Sequence, residues 1–183
     1  MKKTMMTLAA VFCCAMSSTM FTACGSDDDD NNKVLVDDVT PVAAVMVYGF
    51  EVSDDMLAVL DMTVEYYDNN GKLQTEKITQ KEWTKTVKAK LPVSLGACLK
   101  AQMKDGVDVN TIEKMKFLRG YECKAYSETA TGNISGIDGC GSYSTITLDG
   151  IALSSLLSQE NGVITSFLYD FSDKGQIVDG TWK

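Results

Sequence analysis

Val93-Ser94-Leu95-Gly96-Ala97-Cys98-Leu99-Lys100-Ala101-Gln102-Met103-Lys104 is the longest regular alternation in the chain. Val93, Leu95, Ala97, Leu99, Ala101 and Met103 occupy one parity, and Ser94, Gly96, Cys98, Lys100, Gln102 and Lys104 the other. Successive side chains of an extended chain point to opposite faces, so the run predicts a strand with one face in a core and the other toward water. Pro92 suits its start, where a missing N–H costs no ladder bond.

The same period of two extends in both directions. Ala44, Met46, Tyr48, Phe50 and Val52 form one apolar series, and Ala58, Leu60, Met62, Val64 and Tyr66 alternate with Asp61, Thr63 and Glu65. Ser53-Asp54-Asp55 between them reads as a turn; a second reading makes Ser53 a helix N-cap followed by two acidic first-turn residues. Asp68-Asn69-Asn70-Gly71 is a hairpin signal leading into residues 73–79. In residues 83–91, Trp83, Val87, Ala89 and Leu91 share a parity that Lys85 interrupts.

Beyond the opening run, residues 105–114 form a polar connection with room for one helical turn, and residues 115–126 alternate again. Residues 127–142 hold Gly132, Gly136, Gly139 and Gly141 and read as a long loop. After a short strand at 143–148, Asp149 would cap a brief helix carrying Ile151, Leu153, Leu156 and Leu157, ended by Asn161-Gly162. Residues 163–171 alternate, and Ser172-Asp173-Lys174-Gly175 turns the chain into 176–182. Eight or nine strands and one helix predict an all-β fold. The expected architecture is an antiparallel, immunoglobulin-like β-sandwich forming a single domain over residues 41–183, with a small closed β-barrel as the alternative.

The chain has 183 residues, 17 basic and 25 acidic side chains and no histidine. Without imidazole there is no Ser-His-Asp triad, no Cys-His pair and no histidine-liganded metal site. The start of the chain is an address. Met1-Lys2-Lys3 precedes a mostly apolar run from Met5 to Phe21 and then Thr22-Ala23-Cys24, so residues 1–23 have the layout of a secretory signal peptide. From Cys24 onward 15 basic groups face 25 acidic ones, a net −10, of which Asp27 to Asp30 contribute −4. A mildly acidic domain gives nucleic acid no basic face to bind.

Phe21-Thr22-Ala23-Cys24 resembles the lipobox of bacterial lipoproteins, with Phe21 where leucine is usual. Gly25-Ser26-Asp27-Asp28-Asp29-Asp30 resembles the acidic export signal of Bacteroidota outer-surface lipoproteins. The resemblance implies diacylation of Cys24, a flexible tether over residues 24–40 and outer-membrane anchoring with outward display. By itself, a run of aspartates is a solvated spacer.

Among candidate sites, Cys98, Cys123 and Cys140 are an odd number for an oxidising setting, and three thiols or one disulfide plus one thiol both stand. Cys140, read in a loop, reaches either partner more easily than Cys98 reaches Cys123 on the opposite parity. Asp105, Asp108 and Asn110 put three oxygen-bearing side chains in six residues, short of an EF-hand pattern and readable as an acidic turn. Trp182 and Trp83 offer sugar-stacking surfaces or core packing. Eight lysines between Lys72 and Lys104 read as an anion-binding patch or as strand-edge protection. No cofactor or metal is expected. Three function classes follow: a non-catalytic binder of a glycan, peptide or protein, with residues 127–142 and 105–110 as contact regions; an assembly subunit working by strand pairing; and a carboxylate-dependent glycosidase, which needs no histidine.

Overall fold

The alternating run becomes the middle strand of a five-stranded antiparallel sheet. The computed structural model describes residues 39–182. The leader, Cys24 and the Ser26, Asp27, Asp28, Asp29 and Asp30 segment lie outside the described residues. In chain order the elements are β1 (Pro41–Glu51), α1 (Asp54–Val59), β2 (Leu60–Tyr67), β3 (Leu73–Ile78), β4 (Glu82–Lys90), β5 (Val93–Met103), β6 (Met115–Thr129), β7 (Ile134–Leu148), α2 (Gly150–Gln159), β8 (Val163–Phe171) and β9 (Ile177–Asp179). One sheet has the order β4-β1-β6-β7 and the other β3-β2-β5-β8-β9. Every pairing is antiparallel. The result is a β-sandwich, and among the described residues neither sheet closes into a barrel. Its sheets, β4-β1-β6-β7 and β3-β2-β5-β8-β9, differ in strand order from the ABED and CFG sheets of a constant-type immunoglobulin sandwich.

The inner parities expected from sequence meet in one core. Ala44, Met46, Tyr48 and Phe50 of β1 and Phe117, Cys123 and Ala125 of β6 face Leu60, Met62, Val64 and Tyr66 of β2 and Leu95, Ala97 and Leu99 of β5. Phe167 of β8 stands between the layers, with ring centroids 5.7 Å from Phe50, 6.1 Å from Tyr48 and 6.0 Å from Tyr121. Such aromatic pairs add about 0.5–1.5 kcal/mol each beyond their buried area.

Two readings of the sequence are corrected. Residues 54–59 are not a turn leading into a strand but helix α1: Ser53 Oγ accepts the Met56 N–H at 3.1 Å, and Asp54 and Asp55 sit in the first turn. The strand therefore begins at Leu60 rather than Ala58. Asp55 also accepts the Lys116 N–H at 2.6 Å, so the acidic pair ties the helix to β6. The larger correction concerns residues 127–142, which are no loop. β6 runs on to Thr129, Gly132 turns the chain at φ +91°, and β7 returns for 15 residues. Two of the glycines that suggested a loop lie close to the β6 backbone: a Cβ on Gly139 would stand 2.7 Å from the Cys123 carbonyl oxygen, and one on Gly141 3.3 Å from that of Tyr121.

Other expectations hold. Asp149 caps α2, its carboxylate accepting the Ala152 N–H at 2.8 Å, and Asn161 (φ +49°) and Gly162 (φ +77°) end it. Asp149→Ala is expected to cost about 1 kcal/mol, read as a lower denaturant midpoint. Asp68 organises the β2–β3 turn by accepting the N–H groups of Asn70 and Lys72, which hold its carboxyl below the usual range.

Lys85, the break in the parity of β4, has a partner in the opposite sheet. Its Nζ lies 2.6 Å from Glu76 on β3, and the same carboxylate accepts the Tyr66 hydroxyl at 2.6 Å and Trp83 Nε1 at 3.0 Å. Lys85, Tyr66 and Trp83 together pull the Glu76 carboxyl down to about 2. A carboxylate held low in the fold binds its proton more weakly than in the unfolded chain. Its contribution is therefore complete above the unfolded value of 4.5 and drains away as the pH falls toward about 2. Both side chains are 38% exposed, so solvent screening reduces the effect to about 1–2 kcal/mol. Glu76→Gln should show this loss at neutral pH in urea unfolding, and the gap from the wild type should shrink below about pH 4.

Candidate functional site

β7 is an edge strand, paired to β6 on one side and to nothing among the described residues on the other. Sheet edges attract other strands, and folds blunt them with lysines, prolines, bulges or short length. The other three edges carry such devices. β4 has Lys85, Lys88 and Lys90, β3 has Glu76 and Lys77, and β9 is three residues long. β7 reads Ile134-Ser135-Gly136-Ile137-Asp138-Gly139-Cys140-Gly141-Ser142-Tyr143-Ser144-Thr145-Ile146-Thr147-Leu148, with one charge and neither lysine nor proline. Apolar side chains stand exposed along it: Ile137 at 64%, Tyr143 at 53% and Ile146 at 48%.

The backbone of β7 is set for pairing. Cys140 N–H points back to Cys123 Sγ at 3.1 Å, so by alternation the amides of Gly141, Tyr143 and Thr145 face the open side. From Ile137 to Leu148 the register with β6 is unbroken; the irregularity lies at Tyr126/Ser127. On the core-facing side, Ser142 and Ser144 are exposed. Beside them, Arg119 of β6, in register with Ser144, has a buried Nε without a hydrogen-bond partner.

The residues singled out from sequence do not converge. Trp182 packs on Tyr67 with ring centroids 5.3 Å apart, and Trp83 lies between Phe50 and Tyr66, at 5.9 and 5.5 Å. Asp108 caps the single turn Val109–Thr111, its Oδ1 accepting both the backbone N–H and Nδ2 of Asn110 at 2.9 Å. Asp105 stands in the preceding turn, exposed. Among the described residues no group of three or more His, Cys, Asp or Glu side chains could hold a metal. Of the eight lysines, Lys81, Lys85, Lys88 and Lys100 are in ion pairs, and Lys104 Nζ donates to the Leu57 carbonyl at 2.6 Å. No protein-family model, curated protein or solved structure matches the chain. The fold and its surfaces alone bear on function.

A groove of about 530 Å³ lies between α2 and the outer face of β2 and β5, lined by Asp61, Thr63, Lys100, Gln102, Ser154 and Asn161 among others. No aromatic ring lines it, so it lacks the apolar platform on which pyranose rings stack. The two carboxylates that their surroundings visibly shift, Glu76 and Asp68, are both lowered, opposite to what a general acid requires. Sequence reasoning read only residues 143–148 of β7 as a strand and missed its first part and its place at the sheet edge. Its alternating Tyr143, Thr145 and Thr147 and the Thr131-Gly132-Asn133 turn were the available signals.

Proposed function

We propose that this chain is a non-catalytic, membrane-anchored surface subunit that assembles with copies of itself by strand addition along β7. The observation carrying the reading is a 15-residue edge strand with one charge, on a domain whose other edges are blunted.

A second copy is favoured as occupant by self-complementarity. In an antiparallel β7–β7 pair with its two-fold axis at Gly141, Tyr143 faces the partner's Gly139 and Ile137 the partner's Thr145, bulky against small. The partner's Asp138 falls opposite Ser144, one strand beyond Arg119 on the same face. Two strand spacings are about 10 Å, a span that an arginine and an aspartate side chain bridge together. The guanidinium of Arg119, whose buried Nε has no hydrogen-bond partner, thus gains a carboxylate, twice by symmetry, and no like charges meet.

The anchor rests on the leader and on Cys24. Acyl chains there would hold copies in one plane, and residues 25–40 would give each domain reach, up to about 50 Å if extended. Cys24→Ala is expected to abolish incorporation of labelled palmitate; label retained in that variant would contradict the anchor. Sedimentation equilibrium of the chain from Gly25 onward tests the assembly. A monomer–dimer equilibrium that responds to concentration supports it, and a monomer at all concentrations overturns it.

A further inference from the structure

We infer that Cys123 and Cys140 form a disulfide-bonding pair that staples the edge strand β7 to β6, leaving Cys98 as a buried thiol. Cys123 and Cys140 are directly opposite in the β6–β7 register, on the face turned toward the facing sheet. Directly opposite residues of an antiparallel pair have Cα atoms about 4.5–5.5 Å apart, inside the 4.4–6.8 Å that a disulfide spans. Cys140 N–H lies 3.1 Å from Cys123 Sγ, and Cys123 Sγ lies 3.9 Å from the Tyr169 hydroxyl, so the sulfur sits in the cross-strand space the bond would occupy. Cys98 is excluded by topology. It lies on β5, in the other sheet and on its outer face beside Glu65 and Ser166, and is fully buried.

The two thiols are unequal in a way that orders the chemistry. Cys123 is buried, whereas Cys140 is half-exposed on the edge strand. Hydrogen bonding with the neighbouring thiol raises Cys123, and the same contact lowers Cys140, favouring thiolate at the accessible position. The oxidant is a disulfide, small-molecule or protein-borne. The Cys140 thiolate attacks one of its sulfurs, forming a mixed disulfide and releasing one thiolate. Cys123 then loses its proton and attacks the Cys140 sulfur, releasing the second thiolate. Two protein thiols are oxidised to one disulfide, the reagent is reduced to two thiols, and the two protons end on the leaving groups.

The staple closes a short loop, Cys123 to Cys140, and fixes the strand on which assembly depends, yet its formation does not depend on assembly. The test takes the full chain, equilibrates it with oxidised glutathione, blocks remaining thiols with N-ethylmaleimide in denaturant and digests it with trypsin. Cleavage after lysine and arginine places Cys98, Cys123 and Cys140 in separate peptides, residues 91–100, 120–124 and 125–174. The expected product is peptide 120–124 joined to 125–174 with the loss of two hydrogens, and peptide 91–100 carrying the maleimide. Cys123 and Cys140 both alkylated, Cys140 carrying only glutathione, or a bond from either to Cys98 would overturn the assignment.

Discussion

Gly96→Val is expected to abolish the fold. Gly96 sits mid-way along β5, the strand flanked by β2 and β8, opposite Leu168. A Cβ built there would run into the Phe167 carbonyl oxygen and lie 2.8 Å from both Leu168 Cα and Leu168 Cδ1. Two of these three obstacles are backbone atoms of the neighbouring strand, which cannot move without breaking the ladder on either side. Overpacking of this kind costs about 1–3 kcal/mol even where neighbours can yield, and more where they cannot. Against a total stability of about 5–15 kcal/mol, the valine should leave little folded protein at 37 °C. The control is Gly49→Ala on β1, where the new Cβ meets nothing nearer than the Glu122 carbonyl oxygen at 3.5 Å and the melting point should hardly change. Circular dichroism melting of the two variants checks both; a Gly96→Val chain melting with the wild type would contradict the β5–β8 register.

The second large effect falls on association rather than folding. Ile137→Lys combined with Thr145→Lys places two ammonium groups opposite each other in the proposed β7–β7 pair, once on each side of the two-fold axis. Like charges directly opposite in a sheet are destabilising, and lysine is the residue with which edges are commonly protected. The dimer dissociation constant should rise by about a hundredfold, or about 2.8 kcal/mol. Both positions are exposed, so the melting point of the monomer should stay within a few degrees of the wild type. Sedimentation equilibrium and thermal melting of the same samples separate the two effects. Unchanged association would remove β7 from the interface.

What could be read from sequence and what could not divides along physical lines. The strands of the core were legible because one face of each is buried: Leu95, Ala97 and Leu99 on β5 and Met62 and Val64 on β2 carry the alternation that burial imposes. β7 has no buried face. Residues 143–148 keep enough alternation to read as a short strand, but residues 134–142 leave no hydrophobic period to detect, and glycines needed for close approach to Cys123 and Lys124 look like loop residues when read alone. Helix α1 was concealed because Ala58, Leu60 and Met62 continue the parity of β2 backwards, so the cap at Ser53 competed with a stronger-looking pattern. Lys85 looked like an error in β4 because its partner, Glu76, comes from the other sheet, a pairing that no local period encodes. The candidate site was hidden for the same reason: an edge and a lone guanidinium become meaningful only after the strand order is known.

Assembly through the open β7 edge would bring Arg119 within reach of the partner's Asp138, and charge exchange tests that arrangement most directly. Dissociation constants would be measured by sedimentation equilibrium for the wild type, Arg119→Glu, Asp138→Arg and the double variant, with melting points recorded for each to confirm folding. Each single reversal should weaken the dimer at least about tenfold by setting like charges together, and the double variant should recover most of the loss. A double variant no tighter than its weaker parent, or a wild-type chain that stays monomeric, would contradict assembly through β7.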